Sequence, residues 1–186
     1  GYGVSMAGVD YAHQNGVRLI IAMDCGIQAR EQVAKAKAWG IDFIICDHHR
    51  PGSEIPGAIA VLDPKREDCA YPFKELSGCG IGFKLIQAYA QKNDIPFEQL
   101  TSYLDLAAIS IAADIVPVNG ENRILAYYGL QQINSNPRPG IKALLELSNV
   151  KRTLNITDLV FIIGPRLNAA GRVESGRKSV ELLVSK

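Results

Sequence analysis

The sequence predicts an α/β fold: a parallel sheet flanked by helices, followed by a mostly helical portion. Three observations predict it. Short apolar runs at residues 17–23 (VRLIIAM), 43–46 (FIIC) and 58–62 (AIAVL) have the continuity of strands buried on both faces. Between the first two lies an amphipathic stretch at 28–39 (QAREQVAKAKAW), rich in helix formers, with Gly40 placed to end it. From Gly78 onward, apolar residues recur at helical spacing.

The elements follow in order. Residues 3–14 read as a short helix stopped by Asn15-Gly16. Strand, helix and strand at the spacing of 17–46 form a crossover unit, which requires parallel strands. Helices are expected at 81–91, 97–113, 122–133 and 141–147, with breaks at Pro117, Asn136-Pro137 and Pro139-Gly140. Another is expected to start at Thr157 or Asp158, and a last one to cover 175–184.

Length and composition narrow the class. The 186 residues suit one domain, or one domain plus a fragment of another, and 47% are hydrophobic, enough for a real core. No apolar run approaches the roughly 20 residues that span a membrane. No signal peptide is visible, Met6 is not an obvious start, and the chain stops inside a helical pattern, so an excised piece of a longer protein is expected. Cys25, Cys46, Cys69 and Cys79 form no CxxC pair, which argues against zinc and for reduced thiols in the cytoplasm. Net charge is +1, but residues 138–186 carry nine Lys/Arg against four Asp/Glu, and residues 1–137 eleven against fifteen. An acidic portion beside a basic one suits a metal site that receives a polyanion, but on charge alone an ordinary solvated surface is the favoured reading.

Chemistry concentrates at two strand ends. The first strand runs into Asp24-Cys25-Gly26 and the second into Asp47-His48-His49-Arg50. In parallel α/β sheets, ligands bind beyond the carboxyl ends of the strands, and neighbouring strands lie about 4.8 Å apart. A carboxylate and two imidazoles at one edge suit a divalent cation such as Mn²⁺, Zn²⁺ or Fe²⁺ better than Mg²⁺. Asp114, after the apolar helix, is a third candidate, because a carboxylate there needs water, a donor or a metal. The glycine-rich SGCGIGFK (77–84) lacks phosphate-loop spacing and reads as a closely packed helix start. Lys65-Arg66 and Lys151-Arg152 read as solvated, and Tyr127, Tyr128 and Phe161 as core.

IIAMDCG, the Asp-His-His triplet at 47–49, AAISIAADIVPVNGENR and IGPRLNAAGR together resemble the RecJ branch of the DHH phosphoesterase superfamily, in that family's order and over essentially the whole chain. The resemblance implies a two-metal centre holding Mn²⁺ or Mg²⁺. Asp24 would bridge the metals, with His48 and Asp114 as further ligands. His49 would face the scissile phosphate, and Asp47 would hold the imidazoles. Arg166, Asn168 and Arg172 would contact substrate phosphate or close the cleft.

The implied activity is hydrolysis of single-stranded DNA from the 5′ end, releasing mononucleotides in repair and recombination. Single-strand-binding protein and a helicase are the implied partners, with no membrane. Residues 1–164 would be the catalytic domain and 165–186 the start of a helical connection to a further domain. One departure stands out: the family's first Asp-x-Asp motif is absent. Asp10 and His13, three apart on a helix, could mimic it but read as surface residues. The fragment alone is therefore expected to be inactive. Alternatives are a nano-RNase, a cyclic-dinucleotide phosphodiesterase, a pyrophosphatase and a non-catalytic replication scaffold.

Overall fold

A computed structural model of the chain describes residues 3–173 and 176–185; the side chains of 170–173 fall outside that description. The chain divides into two compact units, residues 1–86 and 87–186.

The first unit is built on a three-stranded parallel sheet in the order β1 (Leu19–Met23), β2 (Asp42–Cys46), β3 (Ala60–Leu62). The register pairs Ile20 with Phe43, Ala22 with Ile45, and Ile45 with Val61. One face of this sheet is sealed: Ala22, Phe43 and Ile45 pack with Val9 and Ala12 of α1 (Met6–Gln14) and Val33 and Ala36 of α2 (Arg30–Ala38). Ser5 caps α1 by accepting a hydrogen bond from the Gly8 N–H, and Asp10 and His13 lie on its outer side. Asp10 pairs with Lys35, and His13 stacks on Trp39, so both serve the surface, as the sequence suggests.

The other face departs from expectation. Leu19, Ile21 and Met23, on that face, are 43%, 47% and 45% exposed; among the described residues β1 pairs with β2 alone. At the carboxyl end of that face the start of α3 (Gly78–Lys92) packs in closely. A Cβ on Gly82 would lie 2.3 Å from Met23 Cε, which bears out the packing role read for the glycine-rich segment.

In the second unit a 3₁₀ turn (Phe97–Tyr103) leads into α4 (Leu104–Ala113), which is buried almost all round. The sequence reads these as one helix; the structure tightens the first seven residues. A helix apolar on every side belongs at the centre of its unit. Against it lies α5 (Gly120–Ser135), close enough that a Cβ on Gly129 would meet the Leu104 carbonyl oxygen at 2.2 Å. α5 buries Asn122, Leu125, Ala126, Gly129 and Ile133. Tyr127 and Tyr128 therefore fall on the opposite side, 58% and 52% exposed, and Phe161 is also exposed, so none of the three is core. α6 (Pro139–Leu147) starts on a proline at its first turn and abuts α9 (Gly176–Val184), where a Cβ on Gly140 would strike the Leu182 carbonyl.

The helix expected at Thr157 or Asp158 begins at Ile156, capped by Asn155. Asn155 and Asp158 exchange hydrogen bonds in a reciprocal box. This α7 (Ile156–Asp158) widens into a π turn (Leu159–Ile163) before tightening again as α8 (Gly164–Val173). No described helix is long and apolar enough to cross a membrane.

Candidate metal centre

The site lies where β1 and β2 end side by side. Met23 and Cys46 are the last paired residues, so Asp24 and Asp47 leave the sheet at the same level. The Asp24 N–H donates to the Cys46 carbonyl, and its backbone then turns to φ 59, a left-handed conformation that aspartate tolerates better than most residues. Gly26 continues the turn at φ 110. The turn sets the Asp24 carboxylate against Gly78 at the head of α3, where an added Cβ would come within 2.1 Å of Oδ1.

Two imidazoles complete the cluster. His48 Nε2 stands 3.1 Å from Asp24 Oδ1. Donor atoms of Asp24, His48 and His49 all lie within 4.8 Å of one another. The strand-end rule thus brings together the residues it names, and the strands are parallel neighbours as the chain's pattern requires.

Asp47 is the anchor rather than a donor. It is 1% exposed; Oδ2 accepts from the Ile27 N–H at 2.9 Å, and Oδ1 from the backbone N–H groups of His48 and His49. Oδ1 also lies 2.6 Å from His49 Nδ1. Burial pushes the Asp47 pKa up, but the hydrogen bonds from Ile27, the His49 ring and the two histidine amides outweigh it and hold the carboxyl below its ordinary value. A carboxylate on Nδ1 fixes the tautomer that leaves the Nε2 lone pair outward, the usual backing of a metal-binding histidine. Asp47 grips the ring of His49 and accepts the backbone N–H of His48. Cys46 is fully buried behind it, its thiol pushed up to about 11 by burial and then by the Asp47 charge.

The donor set fits a divalent cation. One half-exposed carboxylate and two imidazoles converge, and mixed oxygen and nitrogen ligands suit Mn²⁺, Fe²⁺ or Zn²⁺. Beside the triplet, a cavity of about 460 Å³ is lined in part by Arg50, Ser53, Lys65 and Arg66. Lys65 and Arg66 are half-buried rather than solvated, and Arg66 is held by Asp68 and the Val61 carbonyl.

Asp114, Arg166 and Asn168 belong to the second unit. Asp114 caps α4 and accepts from Ser110 Oγ at 3.2 Å. Arg166 is exposed on α8 and donates to the Ile162 carbonyl, and Asn168 is exposed on the same helix. The side chain of Arg172 lies outside the described residues.

The sequence reading overlooked Asp63. It directly follows β3 and is 2% exposed, so it ends its strand just as Asp24 and Asp47 end theirs. Only the turn-like Asp-Pro-Lys that begins there concealed it.

The model of the DHH family, N-terminal domain, matches residues 5–111. The chain belongs to the DHH family. Its DHH relatives include the single-stranded-DNA-specific exonuclease RecJ of Escherichia coli, 41% identical across 99% of this chain and 34% of the relative. The protein of that name from Bacillus subtilis is 42% identical across 100% of this chain and 23% of the relative. Among solved structures, Thermus thermophilus RecJ in complex with Mn²⁺ superposes with a TM-score of 0.85 at 30% identity, covering 98% of this chain and 27% of that one. An exonuclease RecJ bound to manganese also gives 0.85, at 32% identity, covering 100% and 46%. The chain spans about a third of the length of the Escherichia coli relative and under half of either solved structure. The parallel sheet with flanking helices is thus the fold of RecJ-type DHH structures.

Proposed function

We propose that this chain is the catalytic portion of a metal-dependent 5′→3′ exonuclease that hydrolyses single-stranded DNA to mononucleotides, in the cytoplasm, in repair and recombination. The observation that carries this reading is the convergence of Asp24, His48 and His49 within 4.8 Å at the ends of neighbouring parallel strands. Similarity to proteins named as single-stranded-DNA-specific exonucleases supports the substrate, and similarity to two RecJ structures solved with manganese supports the ion.

Asp24 and His48 would hold Mn²⁺ or Mg²⁺, with Asp114 as a further ligand and Asp24 as the bridge in a two-ion site. Bound ions of this kind polarise a phosphoryl oxygen and lower the pKa of an attacking water. The chain's own residues do the rest. Asp47 locks the His49 ring so that its outward nitrogen faces the scissile phosphate and can hold or pass a proton. Arg50 at the adjoining cavity draws in the polyanion. Arg166, Asn168 and Arg172 contact substrate phosphate. Residues 1–164 form the catalytic domain and 165–186 begin the helical connection. Single-strand-binding protein and a helicase are the working partners.

The test is to offer the purified full-length protein 5′-labelled single-stranded DNA, short RNA and pyrophosphate with Mn²⁺. Progressive release of mononucleotides from the DNA alone is expected. Preference for dinucleotides or pyrophosphate, or no turnover with intact folding, refutes the reading.

A further inference from the structure

Asp63 is a buried acid that the proposed reaction does not use. It leaves β3 where Asp47 leaves β2: Cys46 pairs with Leu62, and the Asp47 N–H donates to the Leu62 carbonyl at 3.0 Å. The two acids are therefore side by side, with His48 next along the chain. Asp63 Oδ1 accepts from the Lys65 N–H at 2.8 Å, but Oδ2 is wholly enclosed and has no hydrogen-bond partner among the described residues. A buried carboxylate oxygen left so is costly. Burial raises its pKa above the ordinary value, Asp47 raises it further, and the Lys65 amide, the Lys65 charge and His48 pull the other way. His48 presents Nε2 to Asp24 at the exposed rim, and its side chain is 11% exposed, so its other edge faces the interior.

We infer that Asp63 is a positioning residue for His48: its enclosed negative charge draws the imidazole proton to the inward Nδ1 and leaves the Nε2 lone pair for a divalent cation. Asp63 would then stand to His48 as Asp47 stands to His49, two strand-end acids each backing one imidazole. Asp24 competes poorly for the ring proton because it is half exposed and solvated. The inference rests on reading the strand-end cluster as a cation site.

Nitrogen-15 NMR of the metal-free protein at pH 8 tests the tautomer directly. His48 is expected to carry its proton on Nδ1 in the wild type and to shift toward Nε2 in Asp63→Leu. Mn²⁺ titration followed by electron paramagnetic resonance should show about 10–100-fold weaker binding in Asp63→Leu. An Nε2–H tautomer in the wild type, or unchanged Mn²⁺ affinity in Asp63→Leu, overturns the inference. If Asp63→Leu does not fold, the wild-type tautomer decides alone. If the wild type binds no Mn²⁺, the cation reading fails while the tautomer still settles the role of Asp63.

Discussion

Asp24 is held from two sides, by a left-handed backbone and by the bare Cα of Gly78. Each hold can be tested separately. In the full-length protein, Asp24→Ala should abolish cleavage and weaken Mn²⁺ binding by about 100-fold or more, beyond what loss of an outer partner costs, with the melting curve little changed. Gly78→Ala removes no ligand, yet its methyl would overlap the carboxylate and force it aside. Mn²⁺ affinity should fall about tenfold or more in calorimetry, because metal sites tolerate only about 0.5 Å of displacement. Asp24 and the Asp47–His49 triplet were legible in the sequence because each follows an apolar run without a gap. Asp63 follows the same rule and was hidden by a turn-forming proline. The hold of Gly78 on Asp24 was not legible at all, since it joins residues 54 positions apart.

At the scale of elements, two ion pairs tie helices down in the second unit. Arg138, before α6, forks onto both oxygens of Asp105 on α4 and also donates to the Leu183 carbonyl on α9. Asp105 is 1% exposed, so Arg138→Ala leaves a buried charge unpaired and should cost about 3–5 kcal/mol in denaturant titration. Asp158 accepts from Arg152 and from the Asn155 N–H, and these two, named in order of size, hold its pKa below the ordinary 3.8. Such a group stabilises the fold fully above the unfolded value and ceases to do so as pH falls through the lower folded value. Wild type should therefore melt above Asp158→Asn at pH 6, and the gap should close below about pH 4 as the carboxylate is protonated. Strands and most helices were readable from periodicity. Tyr127 and Tyr128 were misread because aliphatic neighbours surround them in sequence, while the helix turns them to the side away from Leu125 and Gly129. The π turn at Leu159–Ile163 left no signal, since its residues are those of an ordinary buried helix.

For the whole molecule, part of the local cation excess read at residues 138–186 is taken up in ion pairs. Of the nine cations in residues 138–186, Arg138, Arg152 and Arg177 pair with Asp105, Asp158 and Glu181; Arg138 is largely buried, while Arg152 and Arg177 stay exposed. The division into two units was not legible either, because α3 (Gly78–Lys92) runs unbroken across the boundary at Ile86. One more consequence follows from β1. Among the described residues it bonds to β2 alone, so its outer side offers a row of main-chain donors and acceptors beside Leu19, Ile21 and Met23. Such a row is a template on which another extended chain can grow. Prepared as these 186 residues, the protein should become turbid with rising concentration and time, at a rate seen by light scattering. Ile21→Lys should slow that growth sharply by placing a charge on the template, without touching Asp24 or the histidines; an unchanged rate would mean that the β1 edge does not seed it.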